Sequence, residues 1–416
     1  MRRGNVVKYN IQIKERGVPM KDMSAQKQVC SIGTGGESAE ALRERSWEYG
    51  LPPYLQHDLD AYKEGLAEGS SLLDCLWGEL YGSINIAEIN DGAITHEHAN
   101  YLRQKFLWVN EVPDFTNCKR VPGRAYNGAN GKKIAIEYQG EQYMLKFPPS
   151  GQGKRTELSY TNSCISEHIA STIFNMVGIP AQETILGTYD VGGKTKIVCA
   201  CKDFTADGSK LFDFCSIKNT VIDSEHGGTG TELEDILDTI EKQQYVNPVE
   251  VLQHFWNVFV VDALLGNFDR HNGNWGFLYH DDTQTATLAP IYDCGSCLLP
   301  QADAQVMRAV LSNQDELNAR IYRFPTSAIK QNDRKINYYD FLMTAGNKDC
   351  NAAVMRMMPR FHLDEMQAFI REVPFLDELQ RQFYQTYLSA RMERLMIPVH
   401  RRIMEQQQHL SPRLHM

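Results

Sequence analysis

The sequence predicts an α+β fold in two lobes, a small antiparallel-sheet lobe and a mostly helical large lobe, preceded by an N-terminal helical module. Three observations predict it. Short strands with tight turns run from about residue 120 to 200. A very apolar helix, opened by Asn247 and Pro248 and stopped by Gly266, leads into the polar loop Asn267-Phe268-Asp269-Arg270-His271-Asn272-Gly273-Asn274. Beyond residue 300, apolar residues recur mainly at helical spacing.

The N-terminal 110 residues divide in two. Residues 1–50 read as a flexible segment, because SIGTGGESAE is rich in Gly and Ser and lacks apolar periodicity. Residues 51–109 read as a small helical module. Leu73, Leu76, Trp77 and Leu80 fall at i, i+3, i+4 and i+7. Asn90-Asp91-Gly92 makes a turn, and Thr95 caps a further helix through Leu107. Such a module suits a private core or a protein contact.

The small lobe begins with the Gly-rich turn RAYNGANGKK. IAIEY (134–138) and QYMLKF (142–147) flank Gln139-Gly140-Glu141 and predict a hairpin. Residues 161–177 predict a helix with Ile165, Ile169, Ile173 and Met176 near one face, ended by Gly178 and Pro180. KTKIVCACKDF (194–204) reads as a buried strand. After the polar loop, strands at 275–279 and 285–291 form a second hairpin. Leu376, Leu379, Phe383 and Tyr387 mark the inner face of a long helix.

Composition limits the function. The 416 residues are 42% hydrophobic and 23% charged, ordinary for a globular protein. The net charge of −9 disfavours a surface that grips nucleic acid throughout. No apolar stretch is long enough to span a bilayer, and the basic start MRRGNVVKYN has no apolar core behind it, so the expected location is the cytoplasm. The ten cysteines are then expected as thiols. Cys199 with Cys201 and Cys294 with Cys297 would make a zinc site only if both pairs met.

The chemistry gathers around Asp269. A phosphotransfer loop needs an aspartate to orient and deprotonate the attacking hydroxyl, and an asparagine five residues on to bind magnesium. Asp269 and Asn274 have that spacing. Antiparallel pairing of the flanking strands returns Asp293 beside Asn274. Two such oxygen ligands suit Mg2+, with nucleotide phosphates completing the shell. Upstream, the amides of Gly128 to Gly131 can approach phosphate oxygens. Lys146 is placed to contact phosphate, and Glu167 to hold Lys146 as an ion pair. Singly, these are also a hairpin loop, a snorkelling lysine and a solvated helix residue. In this order they point to an ATP site.

The runs LLGNFDRHNGNWGF, LAPIYDCGSCLLP, YMLKFP and SEHIASTIFNMVGIP resemble HipA-like serine/threonine kinases, over about residues 120–400. The resemblance implies a bilobal protein-kinase-like fold and transfer of the ATP γ-phosphate, with Mg2+, to a protein hydroxyl. It implies Asp269 as the catalytic residue, with His271 beside it chiefly bracing the loop. Asn274 and Asp293 become the metal ligands, and Lys146 the ATP lysine. Cys201 and Lys202 would form the hinge that holds adenine through the backbone. It also implies a toxin role and a small helix-turn-helix antitoxin as partner. DRHNGN is similar, too, to the DRHxxN loop of phosphoinositide kinases.

Two features depart from the family. Residues 51–109 do not read as the strand-rich subdomain with which fuller HipA-like toxins begin. The loop NGANGKK offers no Ser or Thr for the inhibitory autophosphorylation common among relatives. Two other readings stay open at this level: a kinase of a lipid or small molecule, and a kinase-fold binding module with weak catalysis.

Overall fold

A tight hairpin organises the small lobe. The computed structural model describes residues 112–124, 126, 132–148 and 162–410. The segment 1–50, the module expected at 51–109, and Gly128 and Gly131 lie outside these residues. Strands β1 (Lys119–Arg120), β2 (Lys133–Tyr138) and β3 (Glu141–Lys146) precede helix α1 (Ser163–Met176), followed by β4 (Thr184–Asp190) and β5 (Thr195–Lys202). The β2–β3 turn uses Gln139 and Gly140 at φ 51° and 82°. Two successive positive φ values match the twist of paired strands, so the register is set locally. It places Lys146 opposite Lys133 on one side and Cys199 on the other.

The five strands pair antiparallel in the order β1-β2-β3-β5-β4. One face packs Phe115, Ile136, Leu145, Phe147 and Val198 into a small core. Against the other, α1 buries Ile165, Ile169, Ile173 and Phe174. Strand β4 has no counterpart in the sequence reading, because Gly187 interrupts its pattern. The glycine is there for space: a Cβ on it would overlap the Phe115 ring.

The large lobe opens with β6 (Lys210–Asp213), α2 (Phe214–Val221), α3 (Leu233–Lys242) and α4 (Pro248–Leu265). The hairpin β7 (Gly276–His280) and β8 (Thr285–Leu288) joins β6 in a three-stranded sheet. Helices α5 (Ala304–Ser312) and α6 (Gln314–Tyr322) lead to a hairpin, β9 (Thr326–Gln331) and β10 (Arg334–Asn337). Helices α7 (Tyr338–Thr344), α8 (Lys348–Met357), α9 (Leu363–Glu372), α10 (Glu378–Arg391) and α11 (Ile397–Leu410) follow. The β9–β10 hairpin corrects the mostly helical reading of this region. Its turn residues Asn332 and Asp333 have positive φ, but its strands are too polar to signal themselves. Phe383 and Tyr387 of α10 are buried, as their spacing predicts.

Helix α4 is the axis of the large lobe. The Asn247 side chain accepts from the Val249 amide, and Pro248 occupies the first turn. From Phe255 to Leu265 all but Asn257 are buried, so the helix is apolar all round. Its C-terminal carbonyls meet a cation from α10: Arg391 Nε donates to Ala263 O at 2.9 Å and Leu264 O at 3.1 Å. Gly266 ends the helix in the left-handed conformation at φ 65°. The polar loop therefore leaves α4 from a clamped end. Among the described residues no helix is long and apolar enough to cross a membrane.

A Cβ at Gly266 would overlap Tyr387 Oη and lie 2.8 Å from Pro325 Cγ, at a φ that alanine resists. Gly266→Ala is expected to destabilise the protein by about 2–4 kcal/mol. Urea unfolding checks this, and an unchanged midpoint would contradict the clamped helix end.

Candidate active site

Three charged side chains from three separate segments meet in the cleft. Lys146, the last residue of β3, places Nζ 2.9 Å from Glu167 Oε2 and 3.0 Å from Asp293 Oδ1. Glu167 is not a solvated residue on the outer face of α1. It is 1% exposed, and its Oε1 accepts the Cys294 amide at 3.0 Å. One carboxylate thus holds both the lysine and the backbone beside Asp293. Burial opposes the Lys146 charge, but Asp293 and Glu167 outweigh it and raise its pKa well above the ordinary value. Lys146 in turn lowers the Asp293 pKa to about 2. Asp293 sits at φ 57°, a region that non-glycine residues rarely adopt.

The loop after α4 supplies the second half. The Asn274 side-chain nitrogen donates to Asp269 O at 2.9 Å, which orients the amide and leaves Oδ1 as its open ligand atom. The Asp269 amide donates to Asn267 Oδ1. Burial raises the Asp269 carboxyl pKa, Asp293 adds to the rise, and His271 and Lys335 oppose it. His271 itself braces the loop. Its Nδ1 accepts the Gly273 amide at 3.0 Å, capping the short turn Asn272–Asn274.

Sequence reasoning missed two residues here. Arg270 is buried, and its guanidinium meets Asp262 of α4 at 3.0 and 3.2 Å. It also donates to Asn274 O at 3.1 Å and Tyr292 O at 2.6 Å. The arginine therefore joins α4, the Asp269 loop and the segment before Asp293. The available signal was Asp262, the one carboxylate in the apolar C-terminal half of α4, which demands a buried cation nearby. Asn272 is the other. Its side chain donates to Gly228 O at 2.7 Å and Gly230 O at 2.8 Å, packing the Gly-rich segment 227–230 against the Asp269 loop.

Cys201 and Lys202 lie at the end of β5, as expected, but the backbone of Lys202 is engaged. Its amide donates to Glu183 O at 2.8 Å and its carbonyl accepts from Gln182 Nε2 at 2.9 Å. Lys202 thus offers adenine no open amide. The next residue, Asp203, organises this corner: Arg124 holds it at 2.8 and 2.9 Å, and Tyr126 donates to it at 2.8 Å. The chain entering the Gly-rich turn is thereby tied to the end of β5. Of the two lysines after that turn, Lys133 helps lower the Asp293 pKa, whereas Lys132 lies over the Phe147 ring at 5.2 Å. Among the described residues no three His, Cys, Asp or Glu could hold a metal ion. Asp293 and Asn274 fit a cation that takes its remaining ligands from phosphate and water.

The model of the HipA-like C-terminal domain matches residues 125–369, more than half of the chain and all of the residues above except Arg124. The chain belongs to the HipA-like C-terminal domain family. Serine/threonine-protein kinase CtkA of Helicobacter pylori is 49% identical over 293 residues, covering 70% of this chain and 89% of the relative. The crystal structure of a Helicobacter pylori proinflammatory kinase CtkA matches with a TM-score of 0.66 and 47% identity, covering 71% of this chain and 99% of the other. The HipA, HipB and operator DNA complex of Shewanella oneidensis MR-1 aligns at a TM-score of 0.41 with 16% identity, over 85% of each chain. The mixed α/β architecture described above is thus a kinase fold of this family.

Glu167→Ala removes both the Lys146 partner and the acceptor of the Cys294 amide. It is expected to weaken nucleotide binding roughly 10- to 100-fold, as loss of a charge-assisted hydrogen-bond network does. Glu167→Gln, which retains an acceptor oxygen, should lose less. Calorimetric titration of both variants checks the order, and equal losses would contradict the double role.

Proposed function

We propose that the cleft between Lys146 and Asp269 binds ATP with Mg2+ and transfers the γ-phosphate to a serine or threonine hydroxyl of a protein substrate. The enzyme is a serine/threonine protein kinase. The observation that carries the site assignment is Lys146 bridging Glu167 and Asp293, with the Asp269 loop tied to the Asp293 segment through Arg270. In this reading Lys146 contacts nucleotide phosphates, and Asn274 Oδ1 and the Asp293 carboxylate are the metal ligands. Bound magnesium supplies charge neutralisation across the phosphates. Asp269 orients the acceptor hydroxyl and takes its proton. Burial keeps the Asp269 carboxylate less acidic than usual, which favours proton acceptance. Gly128 and Gly131 are assigned to the phosphates, and the end of β5 at Cys201 and Lys202 to the adenine side by position alone, since the Lys202 amide is already bonded to Glu183 O.

The cytoplasm as location, a toxin role and a helix-turn-helix antitoxin as partner belong to this proposal through the family resemblance. So does the division into a flexible segment 1–50, a helical module 51–109 and a kinase domain 120–400. The family match begins at residue 125, downstream of the module, which supports that division.

Two measurements test the assignment. Asp293→Ala should abolish detectable Mg-ATP binding by calorimetry, whereas Asp269→Ala should bind nearly as the natural protein does while turnover falls roughly 10²- to 10⁴-fold. Equal loss of affinity in both variants would reject this division of labour. Separately, a chain beginning at Asn110 should keep phosphotransfer, because residues 51–109 supply no assigned catalytic group. A soluble but inactive truncated chain would assign the module a part in catalysis.

A further inference from the structure

The β9–β10 hairpin and α7 bound a groove of about 590 Å³. Its lining includes Arg334, Lys335, Ile336, Asn337, Asp340 and Phe341. Arg334 and Lys335 are exposed, and among the described residues neither forms a salt bridge. Lys335 stands directly opposite Lys330 across the hairpin. Like charges so placed destabilise a strand pair. They are also set against a chain whose net charge is −9. An exposed cationic edge without salt bridges points to a partner that supplies the anion.

The position of the groove gives it meaning. Lys335 is close enough to Asp269 for its charge to act on that carboxyl. The hairpin is also fixed to the catalytic loop. Tyr338, the first residue after β10, donates its hydroxyl to Asn267 O at 2.6 Å. A chain whose hydroxyl lay at Asp269 would extend its neighbouring residues at about 3.3 Å each. Asn267 links the hairpin to Asp269, because it accepts both from Tyr338 and from the Asp269 amide.

We propose that this groove is the substrate-specificity site, and that Arg334 and Lys335 select protein segments in which the acceptor serine or threonine is flanked by Asp or Glu. The proposal rests on the protein-kinase reading above. Acidic side chains pair with the two cations, while the half-buried Phe341 offers apolar surface to the rest of the segment. Asp340 is the one carboxylate in the lining, so it sharpens the choice by repelling an acid misplaced toward α7. Segments with basic flanks meet two uncompensated like charges and bind poorly.

The test compares two sets of synthetic peptides with one central serine, flanked in one set by Glu and Asp and in the other by Lys and Arg. The full chain should phosphorylate the acidic set with kcat/KM roughly five- to tenfold higher, the scale of two exposed ion pairs. The difference should lie in KM and shrink at high salt. Arg334→Glu should erase the preference, and Arg334→Glu with Lys335→Glu should invert it. An inverted preference also shows that the variant is folded. Phosphorylation of both sets alike, or an acidic preference that survives both substitutions, overturns the groove assignment and leaves the kinase reading intact. Salt-sensitive binding of a DNA duplex, lost in the double variant and with no peptide preference, overturns it in favour of nucleic acid. Absence of transfer to any peptide or protein hydroxyl would overturn the kinase reading itself.

Discussion

Arg270 carries a permanent charge into a place without water, and the geometry of the cleft follows from how that charge is satisfied. A buried guanidinium is tolerated only when its donors are matched. Here Asp262 takes two of them, and the carbonyls of Asn274 and Tyr292 take more. The two carbonyls belong to the segments carrying the two assigned metal ligands. Satisfying one cation therefore draws Asn274 and Asp293 toward each other, with α4 as the fixed support. A lysine would not serve, since it lacks the planar fork that reaches several acceptors at once. Arg391 does related work at the other side of α4, closing its last carbonyls.

The small lobe is coupled to this centre through Glu167. A carboxylate with two oxygens can accept from two directions, and here one oxygen faces Lys146 and the other the Cys294 amide. Space at this point is tight: a Cβ on Gly295 would lie 3.1 Å from Glu167 Oε2. The result is an alternation of charge, Glu167, Lys146 and Asp293, in which each group stabilises the ionised form of the next. In the proposed function, Lys146 exchanges its contact with Asp293 for phosphate while Glu167 still holds it. The Arg124–Asp203–Tyr126 cluster plays the corresponding part at the far end of the sheet. It bonds the chain entering the Gly-rich turn to the end of β5.

The groove beneath β9–β10 shows a different economy of charge. In the cleft every described cation named above has a partner within the protein, and burial makes that necessary. On the hairpin Arg334 and Lys335 are exposed, where an unpaired charge costs little. Among the described residues, the buried charges named here hold the cleft together, whereas the proposed recognition of a partner falls to exposed ones.

The local and periodic parts of this fold were legible in the sequence. The β2–β3 hairpin follows from its turn, α1 from its apolar stripe, and α4 from Asn247, Pro248 and Gly266. These need only neighbours in the chain. Asp269, Asn274, Lys146, Glu167 and Asp293 were legible because loop spacing and element order imply one cleft. Strand β4 and the hairpin β9–β10 were not, because Gly187 answers to Phe115 and the hairpin's residues are polar. The part of Arg270 was hidden for the same reason: its partners Asp262 and Tyr292 lie 8 and 22 residues away along the chain. Likewise Glu167 reaches Cys294 across 127 residues. The sequence by itself determined which residues are candidates for the chemistry. Only the tertiary structure decided which are buried, paired or left exposed, because those states depend on long-range packing.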